Sequence, residues 1–137
     1  MQPFRFHSIY QPRIWGGQSM RTMLGRELPD RETAYGEAWE ISDRPEAMSI
    51  VKDGEWEGMP LHRLWEEHRQ EIFGPGYERF PRFPLLCKIL DARENLSVQV
   101  HPPERTAAAR QGEVKNEIWY VLHATPDALI YGGMEEN

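Results

Sequence analysis

The sequence predicts a mainly β protein built as one domain of ordinary size. The chain has 137 residues, of which 39% are hydrophobic and 28% are charged, a composition that supports a packed core. The apolar residues fall in short runs bounded by Pro, Gly and Asp, which is the pattern of strands. Eleven Pro and eleven Gly are scattered along the chain without a linker or a repeat. We therefore expect one domain over residues 1–137.

Six runs have the length and composition of strands. They are Ala38–Ser42, Met48–Val51, Pro84–Asp91, Leu96–His101, Glu117–His123 and Ala128–Tyr131. The fourth run alternates apolar and polar residues, as a half-buried strand does. The last run leads into a Gly-Gly turn close to Asn137, which predicts an unpaired sheet edge or an edge covered by another chain.

Two helical patterns interrupt these strands. The stretch MPLHRLWEEHRQEIF repeats apolar side chains at helical spacing from Leu61 to Ile72, and Pro60 suits its first turn. The stretch PPERTAAARQG has two prolines near its start and Gly112 just past its end, which predicts a short helix.

Charge and hydropathy exclude several classes of partner. The net charge is −6 and no basic stripe is visible, so we expect no nucleic-acid and no membrane partner. A small phosphorylated ligand needs only a few local cations. No run approaches the roughly 20 apolar residues of a membrane span, and the N-terminus lacks the apolar segment of a signal peptide. We expect a cytoplasmic protein, with the lone Cys87 buried as a small hydrophobe.

The stretch NLSVQVHPP carries an unusual polar face. Because residues two apart in a strand share a face, Ser97, Gln99 and His101 are expected on one surface. Imidazole is a common metal ligand, and an amide oxygen is a weaker one. The alternative is the solvated face of an antiparallel strand.

A carboxylate follows in VKNEIWYVL. On a strand adjacent to the first, Glu117 would complete a set of one nitrogen and two oxygen ligands. Such a set suits Zn²⁺, although Mn²⁺, Fe²⁺ or Co²⁺ also fits. The alternative is an edge carboxylate paired with Lys115 or with solvent.

Two lysines lie close to these positions in the sequence. Lys115 shares the predicted face of Glu117 and could contact an anionic substrate or move protons, unless it is an ordinary surface lysine. Lys88 stands between apolar neighbours in PLLCKILDA, where a lysine seldom lies without a partner. It points into a polar lumen or marks a sheet edge.

Four motifs together resemble a known family. RIWGG (13–17), GEAWEIS (36–42), FPLLCKILDARENLSVQVHPP (83–103) and KNEIWYVL (115–122) occur in this order. They closely resemble the N-terminal half of type I mannose-6-phosphate isomerase, also called phosphomannose isomerase, in its short bacterial form. The combination of LSVQVHP with K-x-E-x-W-Y is specific to that family.

The resemblance implies a cupin-type (RmlC-like jelly roll) β-barrel with one or two short helices and one zinc ion. The family's zinc ligands in these motifs fall on Gln99, His101 and Glu117. Its substrate-site residues fall on Ser97, Lys88 and Lys115, and Lys115 is the best candidate for the catalytic base. The implied reaction interconverts mannose 6-phosphate and fructose 6-phosphate.

The chain also departs from the family pattern. Pro103 stands where the family usually has Asp, and the family's fourth zinc ligand, a histidine, and an active-site arginine come later than Asn137. Family members are about twice as long or longer. We therefore expect an incomplete barrel, inactive alone, that exposes apolar surface and edge strands. A homo-oligomer or a complementing C-terminal half would complete it.

Two other functions fit the same sequence. A non-catalytic cupin remnant would bind metal or sugar phosphate weakly. A different metal enzyme on the same barrel, such as an iron oxygenase, would more often use two histidines, and only His101 is in place.

Overall fold

The structure is a computed structural model that describes residues 3–110, 112 and 114–133. The chain forms two compact units, Met1–Ser97 and Val98–Asn137. The strands are β1 (Ile9–Gly17), β2 (Tyr35–Ile41), β3 (Asp43–Arg44), β4 (Ala47–Met48) and β5 (Cys87–Leu90). The helices are α1 (Ser19–Thr22), α2 (Leu61–Glu67), α3 (Arg69–Phe73) and α4 (Glu104–Ala107), followed by a 3₁₀ turn at Ala108–Arg110.

A three-stranded antiparallel sheet organises the first unit. Its order is β1-β2-β5, so β2 is the central strand, while β3 and β4 form a separate hairpin. Trp39 of β2 pairs with Ile9 on one side and with Lys88 on the other. The predicted strands at Ala38–Ser42 and Pro84–Asp91 are confirmed with shifted bounds. The predicted strand Met48–Val51 is reduced to the end of β4 and isolated bridges at Ile50 and Val51.

A small apolar core packs against this sheet. Met20, Tyr35 and Ala38 are buried together, and Tyr10 and Ile89 pack against them. Met20 comes from α1, a helix that the sequence does not predict. Burying such side chains stabilises the unit by about 1.5–3 kcal/mol for each large one.

Asp91 ties α1 to the end of β5. Its Oδ2 accepts a hydrogen bond of 3.0 Å from the backbone N–H of Met20, one of the N–H groups that a helix leaves without an internal partner. A Cβ on Gly17 would lie 2.5 Å from Asp91 Oδ1. The second glycine of RIWGG is therefore needed to let this carboxylate approach.

The predicted long helix is present in two pieces. It begins after Pro60 as expected, but His68 leaves the helical conformation (φ −127°, ψ 19°) and separates α2 from α3. The ring centroids of His68 and Trp56 lie 4.4 Å apart. Trp65 of α2 is fully buried and contacts the rings of Phe73, Tyr77 and Phe83 at 5.1–5.9 Å.

His62 has a structural role. Its Nδ1 lies 2.9 Å from Oδ1 of the buried Asp43, whose Oδ2 accepts a hydrogen bond from the Phe83 N–H at 2.7 Å. One carboxylate thus links the β3–β4 hairpin, α2 and the segment that leads to β5.

The second unit contains little regular structure in its described residues. The predicted short helix is present as α4 and the 3₁₀ turn. The predicted strands Glu117–His123 and Ala128–Tyr131 are wrong for this structure, and so is Leu96–His101, which spans the boundary between the units. Apolar alternation predicts where a strand can be buried, but a strand also requires a neighbouring backbone to pair with.

The expected exposed apolar surface is observed in this unit. Ile118 is fully exposed, and the next four side chains of IWYVL are between half and nine-tenths exposed. The prediction that Cys87 is buried is wrong, because Cys87 begins β5, at the side of the sheet away from β1. In the part of the chain that the structure describes, no helix has the length and hydropathy needed to cross a membrane.

Candidate functional site

Three of the predicted site residues meet in the second unit. The ammonium group of Lys115 donates a hydrogen bond to Gln99 Oε1 at 3.2 Å and lies 2.9 Å from Glu117 Oε1. The two oxygens that the sequence assigns to a metal thus converge on one cation. The side chains of Lys115 and Glu117 are about one-third exposed, at 30% and 38%. This cluster is open to solvent.

The other two residues of the polar face are exposed. His101 makes no hydrogen bond or ion pair with any of the residues described, and the same holds for Ser97, which ends the first unit. Without a strand at residues 96–101, the backbone does not enforce the shared face that alternation predicts.

The oxygen donors of the cluster suit a metal ion. Gln99 and Glu117 already hold a cation between them, and amide and carboxylate oxygens bind divalent metals, with an imidazole as a common additional ligand. Among the described residues, no group of three or more His, Cys, Asp or Glu side chains lies close enough together to hold a metal. A site of the predicted kind therefore depends on the amide of Gln99.

Lys88 lies in a second cluster, within the first unit. Its ammonium group is 3.0 Å from Glu37 Oε1, while Glu37 Oε2 accepts hydrogen bonds from Arg13 at 2.8 Å and from the Trp39 indole at 2.9 Å. The Glu37 side chain is only 9% exposed and that of Lys88 is 23% exposed. The expectation that Lys88 has a partner is confirmed.

The environment of Glu37 keeps it ionised. Burial raises the pKa of Glu37, but the hydrogen bonds from Trp39 and Lys88 and the charges of Lys88 and Arg13 outweigh that effect. The net result is a pKa below the ordinary value for glutamate. The cluster therefore holds one negative and two positive charges at neutral pH.

Sequence reasoning did not assign a role to Glu37 or Arg13. Both lie in motifs that carry the family resemblance, GEAWEIS and RIWGG. A signal was available, because alternation places Glu37 on the same face as Trp39 and Ile41. A carboxylate on a largely apolar face requires a cation.

A polar cavity lies elsewhere in the first unit. It measures about 430 Å³ and is lined by Phe6, His7, Ser8, Tyr10, Arg26, Glu27 and Lys52. The guanidinium group of Arg26 is already paired, because it contacts Glu40 at 2.7 Å and Ser8 at 3.0 Å. None of the six predicted site residues lines this cavity.

Comparisons with known proteins converge on one family. The profile of the phosphomannose isomerase type I catalytic domain matches residues 3–130. The mannose-6-phosphate isomerase of Streptococcus mutans is 44% identical over 133 residues, which are 96% of this chain and 40% of that protein. The mannose-6-phosphate isomerase ManA of Bacillus subtilis is 40% identical over 134 residues, or 96% of this chain and 41% of that protein.

A solved structure gives the same result. The crystal structure of the mannose 6-phosphate isomerase from Bacillus subtilis aligns with a TM-score of 0.70 and 36% identity, covering 81% of this chain and 34% of that one. The fold class is therefore mainly β and cupin-type, and it is present here only in part. The chain spans about 40% of the length of the curated relatives it matches.

Proposed function

The chain belongs to the type I phosphomannose isomerase catalytic-domain family, and from that premise we propose that it carries part of the active site of a zinc-dependent aldose–ketose isomerase. The reaction interconverts mannose 6-phosphate and fructose 6-phosphate. The observation that carries the proposal is the convergence of Gln99 and Glu117 on Lys115, because these are the residues to which the resemblance gives roles.

Lys115 is proposed as the catalytic base. In the forward direction, a base removes the proton from C2 of the aldose and returns it to C1, while the hydroxyl proton on O2 passes to O1. The ammonium group must first lose its own proton before it can accept one. The ammonium group contacts Glu117 Oε1 at 2.9 Å, so this contact must be released before the amine can approach the substrate.

Gln99, His101 and Glu117 are the proposed zinc ligands. A bound zinc ion would supply Lewis acidity at the sugar oxygens where negative charge develops. The amide oxygen of Gln99 and each carboxylate oxygen of Glu117 have two lone pairs, so the contacts with Lys115 leave acceptor capacity for a metal.

Lys88 and Ser97 are proposed to bind the substrate. A lysine and a hydroxyl supply the charge-assisted and neutral donors that a phosphate requires. A cytoplasmic location fits a substrate of this kind. We further propose that residues 1–137 are part of one cupin domain, completed by a C-terminal half or by a second copy of the chain.

A second candidate is a non-catalytic cupin remnant. It is favoured by one observation, namely that the described residues of the second unit form no strand. Such a protein would bind metal or sugar phosphate without turnover.

The test is to measure zinc content and mannose 6-phosphate turnover in the purified 137-residue protein. The proposal predicts one zinc per chain, lost in His101→Ala. The matched control is His123→Ala, which removes another exposed histidine of the same unit and should leave the zinc content unchanged.

The outcomes separate the two candidates. Zinc together with turnover that is lost in His101→Ala and Lys115→Met supports the isomerase. Because the chain spans about 40% of its relatives, turnover is measured both alone and after addition of the C-terminal half of a relative. Zinc without turnover in both assays favours the binding remnant, and the absence of zinc and of turnover in both overturns the isomerase proposal.

A further inference from the structure

Three charged side chains from three different strands meet on the central sheet. Arg13 comes from β1, Glu37 from β2 and Lys88 from β5. Each cation binds a different oxygen of the carboxylate, Arg13 Nη2 at 2.8 Å and Lys88 Nζ at 3.0 Å. Glu37 is thus the common anchor of two cations.

The strand register explains the position of Lys88. Lys88 pairs directly with Trp39, two residues along β2 from Glu37. Residues two apart share a face of a strand, so Lys88 reaches Glu37 across a diagonal of the ladder.

Arg13 reaches the same carboxylate because Gly36 has no side chain. The register of β1 against β2 shifts between Gln11 and Pro12 and again before Gly17. A Cβ on Gly36 would lie 2.6 Å from Arg13 Cβ and 2.6 Å from the Trp15 ring. The stem of Arg13 therefore occupies the space that a side chain at position 36 would take.

The charges of the cluster do not cancel. One carboxylate faces two cations, and both cations have donors beyond those that contact the described residues. Lys88 has three N–H donors, and Glu37 receives one of them in the structure. The guanidinium of Arg13 has five, of which Nη2 serves Glu37 and Nη1 serves the Pro12 carbonyl at 2.9 Å. Its side chain is 35% exposed, so a ligand can reach it.

We propose that Arg13 is a phosphate-binding residue, held beside Lys88 by Glu37 so that the two cations bind one phosphate group. The identity of the sugar phosphate rests on the proposed function, whereas the anion site itself does not. A phosphate monoester carries nearly two negative charges at neutral pH, and arginine binds its oxygens through a planar fork of donors. Glu37 acts through the two cations and is a positioning residue.

The alternative is that this cluster only joins the three strands. A purely structural cluster would lose stability on mutation but would show no affinity for phosphate. The experiment therefore measures binding of inorganic phosphate, which needs no turnover. Isothermal titration of the 137-residue protein would compare wild type with Arg13→Gln and Arg13→Lys.

Arg13→Gln is expected to weaken phosphate binding about tenfold or more, and Arg13→Lys less, because lysine keeps the charge but loses the fork. The matched control is Arg5→Gln, an arginine of the same unit that pairs with Asp53. It should leave phosphate affinity unchanged. A second measurement needs no variant: phosphate should shift the Nε resonance of Arg13 in the wild-type protein.

The outcomes for this site and for the isomerase are separable. Turnover of sugar phosphate with phosphate affinity unchanged in Arg13→Gln overturns the inference and leaves the isomerase standing. Loss of phosphate affinity in Arg13→Gln supports the anion site, and it rejects the isomerase as well if wild type shows no turnover even after addition of the C-terminal half of a relative. If wild type binds no phosphate and the Arg13 resonance does not move, the inference is wrong.

Discussion

Similar sequences adopt different structures in the two units of this chain. Glu37-Ala38-Trp39 in the first unit and Glu117-Ile118-Trp119 in the second unit share the pattern of a glutamate two residues before a tryptophan. In the first unit this pattern forms the central strand, and its glutamate is buried between two cations. In the second unit it forms no strand, and Trp119 is 54% exposed.

The difference teaches that neighbours, and not local sequence, decide whether such a run becomes a strand. Strand β2 is hydrogen-bonded on both sides, by β1 and β5. Among the described residues of the second unit, no strand is available to pair with residues 117–123. Apolar residues there stay exposed, and Ala107 is the one hydrophobic side chain found buried in the described part of that unit.

The largest expected effect comes from exchanging one tryptophan in each unit for alanine. Trp65→Ala removes a fully buried ring that packs against three others, and should lower the free energy of unfolding by about 3–5 kcal/mol. Trp119→Ala should change it by less than about 0.5 kcal/mol. Urea denaturation of both variants checks this. Equal losses in the free energy of unfolding would mean that Trp119 is buried in solution, and would contradict the difference between the two units.

The next largest loss of stability is expected at Gly36. In Gly36→Ala the new methyl group meets Arg13 and the Trp15 ring at 2.6 Å, so the variant should lose about 1–3 kcal/mol of stability. Gly132→Ala is the control in the second unit, because a Cβ added there would meet nothing within 4 Å and its φ lies outside the left-handed region. Thermal unfolding should distinguish the two variants. A neutral Gly36→Ala would contradict the close approach of β1 and β2.

A smaller effect is expected from two aspartates. Asp91→Ala removes the acceptor for the Met20 N–H at the start of α1, a loss of about 0.5–2 kcal/mol by analogy with helix caps. Asp127→Ala removes an exposed carboxylate in the second unit and should be nearly neutral. Amide exchange at Met20 is the sharper readout, since it should accelerate in Asp91→Ala only.

The smallest effect is a pH dependence at Asp30. The N–H groups of Thr33 and Glu32 and the Tyr35 hydroxyl all donate to its carboxylate, which lowers the pKa of Asp30 to about 2. A lowered folded-state pKa contributes stability above the unfolded value of about 4, and that stability is lost as pH falls toward 2.

Two variants test this assignment. Asp30→Asn should flatten the pH dependence of unfolding between about pH 4 and pH 2. Tyr35→Phe removes one donor, so an NMR titration should find the pKa of Asp30 raised toward its ordinary value. An unchanged pKa of Asp30 in Tyr35→Phe would show that the Tyr35 hydroxyl does not stabilise the ionised carboxylate.

The sequence predicts correctly those elements that have packing partners within the same unit. The strands around Ala38 and Lys88 and the helix that starts after Pro60 appear as predicted, because each packs against another part of the first unit. Gln99 and Glu117 both contact Lys115, but not through the strand pairing from which the sequence predicts their proximity, because neither residue lies in a strand. The split of the helix at His68 accompanies a ring contact with Trp56, and spacing along the sequence does not encode either feature.

The Glu37 cluster shows a different limit. Alternation can place a carboxylate on an apolar face, but only the register of three strands determines which cations reach it. Arg13 arrives through a register shift and a missing side chain at Gly36. Neither property is visible from residue types alone.

The exposed run IWYVL at residues 118–122 also governs how the protein behaves in concentrated solution. Five consecutive apolar residues without a charge or a proline have the composition of segments that stack into intermolecular sheets. Charged residues at Lys115 and Glu117 precede the run, and Pro126 and Asp127 follow it, so flanking residues limit the length that can stack. Light scattering should rise with protein concentration, and Tyr120→Lys should suppress that rise.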